Sequence, residues 1–266
     1  MIRATVEPHG DVTRVRLSHW RSRAVGYEVS VYLTRGVMID SGFPAAAADV
    51  VRLARERSIS AAMITHHHED HSGGAPALAA AAIPLMIPPE VARLVRAGEP
   101  IPLYRRIVWG SPAPLGSVTP ANSIPGLELL PAPGHSHDHH VVWDAERRTL
   151  FAGDLFLGVK VRVAHPEEDP RLLVETLRRF AALEPVRLFD AHRGAIANPA
   201  MALRRKADWI EEIIGAVDDR VARGWSDDDI RRELLGRESF SSYVSRGEYG
   251  KKNLVTAIRR GAARHH

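Results

Sequence analysis

The 266-residue chain has no cysteine. Disulfides, thiolate ligands and cysteine nucleophiles are therefore excluded. Any metal must be held by nitrogen and oxygen donors, a set that suits zinc, iron or manganese. Long apolar runs are also missing, and none approaches the ~20 residues needed to cross a bilayer. The opening residues, Met1 to Glu7, lack the apolar core of a secretion signal. The expectation is a cytoplasmic enzyme with no membrane partner. Charge of one sign is scarce: 36 Lys and Arg stand against 32 Asp and Glu, a net charge of +4. With arginine spread along the chain, this is a weak footprint for nucleic acid and fits a solvated surface. The length suits one large domain, alone or with a small appendage.

Histidine, by contrast, is abundant. Of the 14, nine fall in three short segments: His66, His67, His68 and His71; His135, His137, His139 and His140; and His192. The other five, His9, His19, His165, His265 and His266, are scattered and suggest no site.

Hydrophobic periodicity organises the rest. Alternation at Thr13-Val15-Leu17 and Val29-Val31-Leu33 marks strands within the first 40 residues, and Gly36-Val37-Met38-Ile39-Asp40 is a short apolar strand ending in the turn Asp40-Ser41-Gly42. Pro44 opens a helix to about Arg57, and Ala61 to Ile64 is a buried strand. Residues 75 to 82 read as a helix, Ile83 to Ile87 as a strand, and Pro89 begins another helix. Residues 98 to 125 carry many Pro, Gly and Ser residues with little periodicity, and read either as a long functional loop or as an edge excursion with short strands. Strands return at 127 to 130, 141 to 143, 149 to 152 and 186 to 189, with a helix from Pro170 to about Leu183. The alternation gives an α/β domain over residues 1–199. A helical appendage follows over 200–266, with helices at 200 to 223, from Ser226, and at 250 to 261. Ile210, Ile213, Ile214 and Val217 form an apolar stripe on the first of these, suited to packing on the chain's own domain or to a homodimer.

The segment Thr65-His66-His67-His68-Glu69-Asp70-His71-Ser72-Gly73-Gly74 follows a buried strand, where open α/β sheets place their sites. His66 and His68, two apart in extended backbone, point the same way and can chelate one ion. Asp70 and His71 come as the chain turns and can face a neighbouring ion. His67 and Glu69 point away by alternation and serve as support or packing. Four donors in six residues imply one crowded ion or two adjacent ones. Three further donors stand at strand ends: His135 after Pro133-Gly134, Asp154 after Gly153, and His192 after Ala191.

These motifs, with Ile39-Asp40-Ser41-Gly42, resemble the metallo-β-lactamase superfamily over most of residues 25 to 195. The resemblance implies a four-layer αββα sandwich and two metal ions, expected to be zinc, with iron or manganese compatible. It implies one ion on His66, His68 and His135, a second on Asp70, His71 and His192, and Asp154 between them. Asp40 would orient the ligands, and Asp70 would orient the attacking water and shuttle its proton. One departure is Ala191-His192-Arg193-Gly194, where the family often has Gly-His-Gly; Arg193 would crowd the second ion or meet an anionic substrate. The Thr-His-His-His-x-Asp-His run is similar to that of hydroxyacylglutathione hydrolases, which are thioesterases. The tail segment Arg246 to Leu254 is similar to the winged-helix-like tails of uncharacterised hydrolases in the superfamily, some relatives of which cut RNA.

The expected function is hydrolysis of a small carbonyl substrate, a thioester or lactone-type ester, by a metal-bridging hydroxide. There are two alternatives. A nuclease or phosphodiesterase would use Arg204, Arg205, Lys206, Arg231, Arg232, Lys251, Lys252, Arg259 and Arg260 as a basic footprint. A sensor retaining metal without hydrolysis is disfavoured by the complete ligand set.

Overall fold

The computed structural model describes residues 2–98 and 100–262; His265 and His266 lie outside them. The chain forms two compact units, one of residues 1–131, 138–154 and 188–195, the other of 132–137, 155–187 and 196–266.

The first unit holds two six-stranded sheets. One runs β1 (Ile2–His9), β2 (Val12–His19), β3 (Val29–Thr34), β4 (Val37–Ile39), β5 (Ala61–Met63) and β6 (Leu85–Met86). β1 to β4 pair antiparallel, whereas β4, β5 and β6 are parallel. Parallel strands must be covered on both faces, and every residue of β4 and β5 is buried. The other sheet takes β7 (Ser123–Ile124), β8 (Leu127–Pro131), β9 (His140–Asp144), β10 (Thr149–Phe151), β11 (Arg187–Asp190) and β12 (Gly194–Ala195), adjacent in that order.

One core joins the two sheets: Tyr32, Ile39 and Met63 meet Leu129, Val142, Phe151 and Phe189, with the Phe151 and Phe189 rings stacked at 5.4 Å. A second lies between the first sheet and α2 (Ala47–Glu56), α4 (Ala75–Ala80), α5 (Pro89–Ala97) and α6 (Leu103–Trp109), built on Val50, Leu78, Val91 and Trp109. The remaining helices of this unit are α1 (Trp20–Ala24) and α3 (Glu69–Ser72).

Among the elements that depart from the sequence reading, α1 and α6 have a clear physical reason. α1 interrupts the expected run of strands because the His19 ring caps it, Nδ1 accepting from the Arg21 and Ser22 amides at 3.0 and 3.1 Å. α6 stands in what reads as a loop or an edge excursion with short strands. Its buried face includes Arg105, which pairs with buried Glu69, and a charged residue on the inner face conceals a helix from a hydrophobicity pattern.

The second unit is built on α7 (Pro170–Ala182), α8 (Pro199–Ala222), α9 (Asp227–Leu234), α10 (Phe240–Val244) and α11 (Lys251–Ala262). The Asp169 carboxylate caps α7 by accepting from the Arg171 and Leu172 amides. Ile210, Ile214 and Val217 of the α8 stripe are buried, and α8 packs on α7 and α11. The short α10 has no counterpart in the sequence reading. Among the described residues no helix is long and apolar enough to cross a membrane.

One partly buried ion pair makes a pH test of the first unit. Asp144 accepts from Arg35 Nε at 2.9 Å and from the Arg147 amide at 2.9 Å. Burial pushes its carboxyl up, but the Arg35 and Arg147 bonds outweigh that and hold it below the ordinary value. A depressed carboxyl stabilises the fold above the unfolded pKa of about 3.9, and the contribution drains as pH falls through the folded value. Asp144→Asn is expected to cost about 1.5–3 kcal/mol at pH 7, with the deficit shrinking toward pH 3. Urea unfolding at the two pH values measures it, and an equal deficit at both would contradict the assignment.

Candidate metal centre

The carboxyl ends of the parallel strands β4 and β5 meet in a tightly bonded corner. Asp40, directly after β4, takes φ 59°, a left-handed conformation that turns its carboxylate across the end of β5. Its Oδ1 accepts from the Thr65 amide and hydroxyl at 2.9 and 2.8 Å, and its Oδ2 faces His71 Nδ1 at 2.8 Å. Ser41 adds two bonds, its amide and hydroxyl both donating to the His71 carbonyl. Gly73 and Gly74 are required by the same corner: a Cβ on either would lie 2.3 Å from a neighbouring backbone oxygen.

These bonds set the imidazole tautomers. With Nδ1 donating to Asp40, the neutral His71 ring would carry its lone pair on Nε2, an atom that is buried, makes no hydrogen bond among the described residues, and stands 3.3 Å from Asp154 Oδ1. His192 is arranged the same way. Its Nδ1 donates to the Glu28 carbonyl at 2.7 Å, and its Nε2 lies 3.3 Å from Asp154 Oδ1 and 3.6 Å from Asp70 Oδ2. Thr65 Oγ1, whose hydroxyl donates to Asp40, accepts from His66 Nδ1 at 3.0 Å, and His66 Nε2 faces His68 Nδ1 at 3.1 Å. Donor atoms of His66, His71 and Asp154 lie within 4.8 Å of one another, as do those of Asp70, His71 and His192.

Electrostatics describe the charge this corner favours. Burial disfavours charge on His71, yet Asp154, Asp70 and Asp40 outweigh it and hold this imidazole well above its ordinary pKa. Burial opposes charge on His192 too, but Asp154 and Asp70 push it up to about 9. His192 and His71 in turn keep the Asp154 carboxyl well below its usual range against the effect of burial. His66 is driven well down by burial and by the neighbouring His71, His68 and His139. The carboxylates thus favour positive charge on these imidazoles, the charge a divalent cation would supply. The nitrogen and oxygen donor set and the uncommitted His71 Nε2 fit such an ion.

Six of the seven expected ligands, His66, His68, Asp70, His71, Asp154 and His192, belong to this unit. His135 belongs to the second, on the turn after Pro133-Gly134, where its buried ring sets Nδ1 3.5 Å from Glu168 Oε1. Arg193 is exposed, and its amide, like that of His192, donates to Asp190 Oδ1; it does not separate His192 from Asp154. Gly194 is needed at φ 81°, since a Cβ there would sit 2.4 Å from the Arg14 guanidinium.

Sequence reasoning missed the residues that hold the ligand loops. Asp138, fully buried, grips the histidine loop with both oxygens, accepting from the His67 amide and facing His67 Nδ1, each at 2.9 Å. His139 Nε2 accepts the Asp154 amide at 3.0 Å. Arg105 holds Glu69, next to Asp70, through Nε at 2.7 Å. The histidine cluster at 135–140 is visible in the sequence; that its buried aspartate faces the first cluster is not, because nothing local marks a contact across 71 residues. Gly153→Ala tests the His139 link. A Cβ there would stand 2.7 Å from His139 Nε2, so the variant is expected to lose ~10-fold or more in metal affinity. Chelator competition measures it, and wild-type affinity would contradict it.

The paired sheets with flanking helices, and a histidine–carboxylate nest at the ends of parallel strands, define an α/β protein with a candidate metal centre. The family model of the metallo-beta-lactamase superfamily matches residues 26–201; the chain belongs to that superfamily. Its sheets and helices are consistent with the expected αββα sandwich. Among curated relatives, a hydroxyacylglutathione hydrolase of Vibrio parahaemolyticus is 32% identical over 65% of this chain and 63% of its own length. An atrochrysone carboxyl ACP thioesterase, AgnL7, of Paecilomyces divaricatus is 31% identical over 62% and 49%. The chain thus spans about half to just under two thirds of these relatives. Of solved structures, the metallo-beta-lactamase family protein TTHA1429 of Thermus thermophilus superposes with TM-score 0.68 at 16% identity, covering 98% of this chain and 94% of that one. TTHA1623, solved in a di-iron-bound form, gives 0.55 at 27% identity, covering 68% and 93%.

Proposed function

We propose that the chain is a two-metal hydrolase acting on a small carbonyl substrate, a thioester or lactone-type ester. The observation that carries this is the aim of two imidazoles, one buried and one partly buried. Asp40 and the Glu28 carbonyl each occupy an Nδ1 and leave the Nε2 of His71 and His192 directed at Asp154. The resemblance assigns His66, His68 and His135 to one ion, Asp70, His71 and His192 to the other, and Asp154 to both. His135 enters on its place in the motif order. Zinc is the expected metal, with iron or manganese suiting the same donors.

Bound divalent ions supply Lewis acidity, lowering the pKa of a water toward about 7 and polarising the carbonyl oxygen. The chain's own groups do the rest. Asp70 orients the attacking water and accepts its proton at a carboxylate oxygen. Asp40 and Glu28 fix the ring orientations so that no reorganisation is needed during reaction. No serine nucleophile is required, since the Ser72 hydroxyl is committed to the His67 and His68 carbonyls.

The thioesterase and hydroxyacylglutathione hydrolase relatives support the thioester class. The tail's cations argue against a phosphodiester substrate. Arg204, Arg231, Arg232, Lys252 and Arg259 pair with carboxylates, and Lys206, Lys251 and Arg260 are bonded to backbone carbonyls. Such pairing leaves fewer uncompensated cations for a phosphate backbone, with Arg232 and Lys252 still largely exposed. The test is a panel of acyl-glutathione and acyl-CoA thioesters, lactones, a bis-aryl phosphate and single-stranded RNA, run on zinc-loaded protein. Turnover of a thioester or lactone is expected; cleavage confined to the phosphodiesters would overturn the reading.

A further inference from the structure

The tail segment from Arg246 to Leu254 has no part in the chemistry above, yet within the second unit it is bonded to the loop that faces His135. Arg246 and Gly247 turn the chain through positive φ, 53° and 88°. Gly250 then pairs with Ala164 in both directions, amide to carbonyl at 3.3 and 3.1 Å. Asn253 Nδ2 donates to the carbonyls of Ala164, Gly247 and Glu248 at 2.8 to 3.0 Å, tying the segment to itself and to the loop. His165 Nδ1 accepts the Glu167 amide at 3.4 Å, so its Nε2 carries the proton and donates to Glu248 Oε1 at 3.2 Å, while the ring packs on Tyr249. From α11, Arg260 donates to the Pro166 and Glu168 carbonyls at 2.9 and 3.2 Å.

The far side of the same loop meets the His135 turn. The Asp169 amide donates to the Gly134 carbonyl at 2.8 Å. Thr176, in α7, donates to the Pro133 carbonyl at 2.7 Å. Gly134 lies so close to α7 that a Cβ would stand 2.6 Å from Leu173 Cα. Glu168 Oε1, which accepts the His165 amide at 3.2 Å, lies 3.5 Å from His135 Nδ1. A carboxylate on Nδ1 fixes the tautomer that leaves Nε2 for a metal and raises its basicity.

We propose that Glu168 is a positioning residue for His135, and that the tail, through residues 247–253 and Arg260, holds Glu168 in place; the tail thereby sets the affinity of one of the two ions. This rests on the two-metal reading above. The test is competition titration against a chromophoric zinc chelator, with the visible spectrum of the Co2+-substituted protein as a second readout. Glu168→Ala is expected to weaken one ion by ~10–100-fold, the usual cost of losing such a partner, and to change the cobalt spectrum. Glu168→Gln keeps an oxygen acceptor and is expected to restore most of the affinity. Asn253→Ala is expected to weaken the same ion by a smaller factor. If that variant unfolds, Arg260→Ala relaxes the same loop from an exposed position. Wild-type affinities and spectra in Glu168→Ala, or in both tail variants, would overturn the proposal while leaving the two-metal reading intact. Failure of the wild-type protein to bind two ions would instead strike that reading itself.

Discussion

Asp154→Asn is expected to lose at least ~10³-fold in kcat/KM, because metal-centred stabilisation of a transition state is worth several kcal/mol and each 1.4 kcal/mol is tenfold. The residue sits where two imidazoles converge: His71 and His192 both present Nε2 at 3.3 Å from the same oxygen, Oδ1. His139 holds its backbone amide, and Gly153 turns the chain there at φ 50°. Asparagine preserves the volume but replaces a charged oxygen with an amide, so neither ion would keep the anionic donor that the proposal assigns to both. The variant should therefore contain less metal as well as turn over more slowly, with far-UV circular dichroism unchanged. Steady-state kinetics and metal analysis on the same sample measure both. An Asp154→Asn protein with two ions and wild-type kcat/KM would contradict the assignment.

Stripping the metal is expected to abolish activity, reversibly, and to lower the melting temperature. A ligand that binds only the folded state stabilises it by about 4 kcal/mol at a thousand times its Kd. The size of the shift should depend on pH in a definite direction. Burial opposes charge on His192, but Asp154 and Asp70 push its imidazole up to about 9 when no metal is bound. A raised histidine stabilises the fold fully below its unfolded pKa of about 6.5, and that stabilisation is lost as pH rises through the folded value. Metal must also displace this proton, so affinity should climb over the same window. The difference in melting temperature between loaded and metal-free protein should thus widen from about pH 6.5 to about pH 9. Thermal melts with and without chelator test this, and a constant or narrowing difference would count against His192 as a ligand.

Much of this centre is legible because its donors are local or lie at recognisable strand ends. The spacing of His66, His68, Asp70 and His71 needs only a strand and a turn to converge, and Asp40, Asp154 and His192 each follow a short buried strand. What is illegible is what the fold brings together at long range. Asp138 clasps His67, Arg105 meets Glu69, and Glu28 offers a carbonyl to His192 across 164 residues. None of these has a spacing rule. The helix α6 is hidden for a related reason, since its inward arginine makes sense only beside Glu69. His19 and His165, which read as unremarkable, each use a ring nitrogen to organise backbone, one capping α1 and the other bracing the 165–168 turn.

Anomalous diffraction at the metal's absorption edge, from crystals of the protein purified without chelator, addresses the seven-ligand assignment most directly. Two peaks per chain are expected, one bonded to His66, His68 and His135 and one to Asp70, His71 and His192, with the Asp154 carboxylate touching both. A crystal soaked in excess zinc that shows no peak at these residues, or shows His135 or His192 turned away from the ions, would contradict it.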